Sequence, residues 1–124
     1  MFLTRELPDY AYALKSANGR SARVNELVLE RSFALAPDWL LQDWPLAEAG
    51  ALDAALLLPL LERAPELVLL GTGEHQVFPP AAAMAACLTR GIGIEVMTNA
   101  AAARTFNVLA AEGRKVVAGF VLGA

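Results

Sequence analysis

The sequence predicts an α/β fold, a single three-layer domain with a mixed β-sheet, antiparallel strands toward the amino end and a βαβαβ portion toward the carboxyl end. Three observations carry this. The second half alternates short apolar blocks with helical stretches bounded by glycine or proline. Its strand blocks are apolar throughout rather than alternating, as strands buried on both faces are. The first half instead has short alternating runs separated by turn residues.

Taken in order, residues 10–15 alternate as a strand, and Ala17-Asn18-Gly19-Arg20 reads as a turn, because Asn and Gly tolerate positive φ. Residues 24–29 and 32–36 read as two further strands, after which Pro37-Asp38 and Trp44-Pro45 punctuate an irregular stretch. Residues 52–64 place Leu56 and Leu60, and Leu57 and Leu61, at helical spacing. Pro59 interrupts that pattern, so either a short helix opens near it or a longer one kinks there.

From Glu66 the pattern is sharper. Residues 67–70 form an apolar strand that runs into Gly71-Thr72-Gly73. Pro79-Pro80 opens a helix over 81–90, with Met84, Leu88 and Gly91 on one side and Gly91 as its stop. Residues 92–97 are the next strand. Thr98 or Asn99 caps a helix running to Glu112, Gly113 ends it, and residues 115–122 form a last strand.

The 124 residues are read as one domain, 1–124, of which 56% are hydrophobic and 19% charged. The longest apolar runs fall short of the roughly 20 residues a spanning helix needs. Met1 to Glu6 shows neither a secretory signal nor an Arg-rich presequence, and Cys87 is the lone cysteine. The expectation is therefore a cytoplasmic protein without a transmembrane segment. Net charge is −3, and the basic residues are scattered without an aromatic-interleaved stripe, which argues against nucleic acid as a partner.

Several chemistries are excluded. Gly71-Thr72-Gly73 lacks the Gly-Lys-Ser/Thr ending of a phosphate loop and the third glycine of a dinucleotide loop. It reads first as a chain reversal and second as a backbone site for a small anion. His75 is the single histidine; no serine nucleophile stands near it, so the sequence favours an exposed loop residue over a proton carrier. One His and one Cys make no metal pattern, and Cys87 on an alanine-rich helix reads as packing. No catalytic residue, cofactor or metal is expected. On the last helix Arg104 and Asn107 share a face, and with Arg114 they carry the donors that a carboxylate or phosphate needs. The same groups serve equally to tie helix ends to loops.

The stretches "ELVLLGTGEHQVFPP" and "EVMTNAAAARTFNVLAAEGRKVVAGFVL" resemble a widespread family of small α/β proteins of unknown biochemical function. That family includes a mitochondrial assembly factor for respiratory complex I and an adipogenesis-associated animal protein. The matching motifs are Gly71-Thr72-Gly73 after a strand, Met97 ending the next, Arg104 through Leu109, and Glu112-Gly113-Arg114. Phe106 stands where the family commonly has tyrosine, and Thr98-Asn99 stands where an acidic or small residue followed by threonine is usual. The resemblance implies a three-layer domain with a shallow pocket built from Gly71, Thr72, Gly73, Met97, Thr98, Asn99, Arg104, Asn107 and Arg114. It also implies an assembly or adaptor protein acting on another protein or as a homo-oligomer. The alternative is a small-molecule or anion-binding protein or an enzyme using the Gly71 loop and the Arg104 helix.

Overall fold

The computed structural model describes residues 11–123. Strands β1 (Leu14–Ala17), β2 (Ala22–Val24) and β3 (Leu27–Leu29) form a small antiparallel sheet. A second, five-stranded sheet contains β4 (Phe33–Ala36), β5 (Trp39–Leu41), β6 (Leu67–Gly71), β7 (Gly93–Met97) and β8 (Val116–Phe120), in the order β5-β4-β8-β6-β7. Within it β8, β6 and β7 are parallel, while β4 runs antiparallel to both β8 and β5. The helices are α1 (Ala54–Leu61), α2 (Ala81–Leu88) and α3 (Asn99–Ala111).

Alternate side chains of the central strands feed two cores, as the two-residue strand period requires. Val68, Leu70 and Val117 pack with Leu57 and Leu60 of α1 and Ala83 and Cys87 of α2. Leu69, Ala118 and Phe120 pack on the other face with Ala102, Phe106 and Ala110 of α3, joined by Leu14, Val24 and Leu29 of the small sheet. This gives the three expected layers: α1 and α2, the large sheet, and α3 with the small sheet. Gly119 is bare because a Cβ there would stand 2.6 Å from the Trp44 ring, whose Nε1 donates to the Leu56 carbonyl at 2.9 Å.

Several sequence expectations are corrected. The run 24–29 is not one strand: Asn25 has φ of +51°, and the chain reverses between β2 and β3. The supposedly irregular stretch holds β5, with Pro37-Asp38 as the two-residue turn from β4. The first strand lies at Leu14–Ala17, later than 10–15, and Tyr10 lies outside the described residues. Pro59 sits inside α1, which opens at Asp53, whose side chain accepts from the Leu56 amide at 2.8 Å. The Ala55 carbonyl that Pro59 leaves without a helical donor belongs to an exposed residue, which lowers the cost of the missing bond. Pro80 is the N-cap of α2 rather than its first turn. On α2 the buried residues are Ala83 and Cys87, whose small side chains let the helix approach the sheet, while Leu88 is exposed.

Candidate functional site

The chain leaves β6 toward α2 on one face of the sheet and leaves β7 toward α3 on the other. Where adjacent parallel strands send their connections to opposite faces, a crevice opens outside their carboxyl ends, and ligands favour such places. Here its lips are Gly71-Thr72-Gly73 and Met97-Thr98-Asn99, paired through Gly71 and Met97 and through the Thr72 amide, which donates to the Met97 carbonyl at 3.0 Å.

Asn99 fills the crevice. Its side chain is 0% exposed. Oδ1 accepts from the Gly73 amide at 3.1 Å, while Nδ2 donates to the Asn18 carbonyl and to the Val121 carbonyl, each at 2.8 Å. The Asn99 amide donates to the Gly73 carbonyl at 2.9 Å. Gly71 is a glycine for space: a Cβ there would collide with Asn99 Oδ1 and lie 2.9 Å from a Phe120 ring carbon. Gly73 is a glycine for conformation, with φ of +98°. Thr98 is the α3 N-cap, its Oγ1 accepting from the Ala101 amide at 3.3 Å.

The outgoing loop is fixed in the same way. Thr72 Oγ1 donates to the His75 carbonyl at 2.6 Å and accepts from the Val77 amide at 3.0 Å. Gln76 Nε2 donates to the Val96 carbonyl at 2.8 Å, on the outer strand of the sheet. The amides of Thr72, Gly73 and Val77 are thus all engaged within the protein. A backbone anion site needs those donors turned outward.

The structure brings Gly71, Thr72, Gly73, Met97, Thr98 and Asn99 together. The remaining three predicted residues stand elsewhere. Asn107 lies eight residues along α3 from Asn99, about 12 Å by helical rise, and its Nδ2 donates to the Leu14 carbonyl at 2.7 Å. Arg104 is exposed on the same helix. Arg114 is at the opposite end of the sheet, before β8, with its Nε 2.9 Å from Glu66 Oε1. There it lines a separate cavity of about 370 Å³ with Asp38, Arg63 and Lys115.

The sequence reading missed the second wall of the site. The Asn18 turn faces the 72–77 loop across an open cavity of about 790 Å³, lined by Gly19, Arg20, Ser21, Glu74 and His75. Glu74 Oε2 accepts from the Gly19 amide at 2.5 Å. These partners are 55 residues apart, and nothing in the local pattern of either segment announces the other. His75 is exposed. Cys87 is buried; burial pushes its thiol up from the ordinary value, and the Arg90 charge opposes this in part. Among the described residues no group of three or more His, Cys, Asp or Glu side chains is placed to hold a metal ion.

Residues 14–121 match the sequence profile of a family described as a protein of unknown function (DUF498/DUF598). The chain belongs to this family. Solved structures of similar chains share its fold. A protein of Xanthomonas campestris, known from NMR, is 54% identical over 99% of this chain and 93% of its own, with a TM-score of 0.84. A Bordetella pertussis protein described as a Mth938-like domain is 27% identical, covers 98% of this chain and 92% of its own, and has a TM-score of 0.80. The "13 kDa major membrane protein" of Francisella tularensis is 35% identical over 57 residues, so the match spans 46% of each chain. Among the described residues of this family member, no helix is long and apolar enough to cross a membrane.

Proposed function

We propose that this chain is a non-catalytic assembly or adaptor protein that works in the cytoplasm through protein contacts, and that the loop after Thr72 is its contact element. The observation that carries the reading is the pair Val77 and Phe78, 47% and 64% exposed on a loop whose backbone is pinned by Thr72 and Gln76. Two adjacent large apolar side chains held out by a fixed backbone present a contact surface with little ordering cost on binding. The resemblance to a family that includes a complex I assembly factor supports the same class. The main competitor, an anion held by the Gly71 loop, lacks free backbone donors at Thr72 and Gly73.

The experiment is site-specific photocrosslinking in cells from position 78, with exposed position 112 as control. The reading expects one discrete protein adduct from 78 and none from 112. It also expects the purified Phe78→Ser protein to keep its melting temperature and lose that partner. No adduct from 78, together with a small metabolite that raises the melting temperature of both wild type and Phe78→Ser, would establish the ligand-binding alternative instead.

A further inference from the structure

Asn18-Gly19 is the single Asn-Gly pair in the sequence. Such pairs are where an asparagine most readily deamidates, because the glycine has no Cβ to shield the following amide nitrogen. In that reaction the Gly19 nitrogen gives up its proton to solvent base and bonds to Asn18 Cγ. The Cγ–Nδ2 bond breaks and Nδ2 leaves as ammonia, taking a proton from water. Water then opens the succinimide at either carbonyl, giving aspartate or isoaspartate. No oxidant, reductant or enzyme is required.

The structure holds both reacting groups away from this path. The Gly19 N–H is bound by Glu74 Oε2 at 2.5 Å, which keeps its proton in place and sets a negative charge beside a nitrogen that must itself become anionic. Asn18 Oδ1 accepts from the Arg20 amide at 2.8 Å and from the Ser21 amide at 2.9 Å, which fixes the side-chain amide over the turn. Asn18 itself is exposed, so water has access once a succinimide forms. We propose that Asn18 is this chain's site of spontaneous deamidation, and that Glu74, reaching across from the other wall of the cavity, is the group that suppresses it while the fold is intact.

The consequence reaches the crevice. The Asn18 carbonyl accepts from Asn99 Nδ2, and the Gly19 carbonyl accepts from the Gly123 amide at 2.9 Å. Isoaspartate reroutes the main chain through Cβ and Cγ and turns the former Asn18 backbone carbonyl, the acceptor for Asn99, into a free carboxylate off the chain. It therefore detaches the Asn18 turn from α3 and from the end of the large sheet.

The test is to incubate wild type, Glu74→Ala and Glu74→Gln at mildly alkaline pH and quantify Asn18 products by peptide mapping and ammonia release. Wild type unfolded in urea sets the unprotected rate. Glu74→Ala is expected to deamidate about tenfold faster than folded wild type or more, as losing a charge-assisted hydrogen bond implies. Glu74→Gln, which keeps an acceptor without the charge, is expected to fall between. A folded Glu74→Ala protein that deamidates no faster, or more slowly, overturns the proposal, as does earlier modification at Asn25, Asn99 or Asn107. If Glu74→Ala does not fold, amide exchange in wild type decides. Strong protection of the Gly19 N–H is expected, and exchange at the free-chain rate contradicts the lock.

Discussion

Gly73 and Asn99 hold each other by two hydrogen bonds: the Gly73 amide donates to Asn99 Oδ1 at 3.1 Å, and the Asn99 amide donates to the Gly73 carbonyl at 2.9 Å. This reciprocal pair closes the place where a doubly wound sheet ordinarily receives a ligand, and it uses the polar groups of the Gly-Thr-Gly turn to do so.

Replacing Asn99 by alanine strands the Gly73 amide and the Val121 carbonyl in a buried setting. At about 1–3 kcal/mol for each unsatisfied group, the loss should be on the order of 3 kcal/mol or more, read as a lower urea midpoint. Asn99→Asp keeps the acceptor but turns an oxygen toward the Asn18 and Val121 carbonyls. Burial raises that carboxyl's folded pKa above its unfolded value. The variant should therefore be most stable in acid and weaken as pH rises above about 4. A variant insensitive to pH between acid and neutral contradicts the buried geometry.

Gly71 and Gly73 should fail for different reasons when changed to alanine. At Gly71 the new methyl meets Asn99 and Phe120, so overpacking should cost about 1–3 kcal/mol or more and shift the resonances of both neighbours. At Gly73 nothing lies within 4 Å of the added carbon, and only the positive φ resists. The cost there should be nearer 1 kcal/mol, with the surroundings unmoved in an NMR spectrum.

Arg104 and Asn107, paired by sequence spacing, should separate in a denaturation experiment. Asn107→Ala removes the tie from α3 to the Leu14 carbonyl and should cost about 1 kcal/mol. Arg104 is exposed and makes no hydrogen bond or ion pair among the described residues. Arg104→Ala should stay within about 0.5 kcal/mol of wild type. Equal losses at the two positions would contradict these placements.

Cys87 should resist thiol reagents in the native protein and react at once when the chain is unfolded. Its pKa is raised in the fold, so its contribution to stability is complete below the ordinary thiol pKa. It is lost as pH rises through the folded value. Cys87→Ala should remove that alkaline component from the stability profile, and an unchanged profile would show that the thiol does not cause it.

The parts of the fold legible in the sequence are those written locally. The apolar block before Gly71, the Thr98 cap and the Gly113 stop announce β6 and α3 within a few residues of their observed ends. What was not legible depends on partners far along the chain. The turn at Asn25 is fixed by its side chain, which accepts from the Ala13 amide and donates to the Ala11 carbonyl, rather than by a glycine beside it. Strand β5 is only three residues long, all half-buried, and shows no alternation to read. In the site, the glycines and Asn99 were recognisable as a group, but Asn99 meets Asn18 across 81 residues and Glu74 meets Gly19 across 55. Arg114 shared a motif with the others and ended at the far edge because α3 spans the sheet between them.

The most direct measurement is an NMR titration of the full chain with inorganic phosphate and with acetate, following the amides of Thr72, Gly73 and Asn99. With those donors satisfied inside the protein, none of the three should show a saturable shift. Saturable movement of all three that Asn99→Ala alters would mean that the turn opens to hold an anion, and would contradict the structural role assigned to it here.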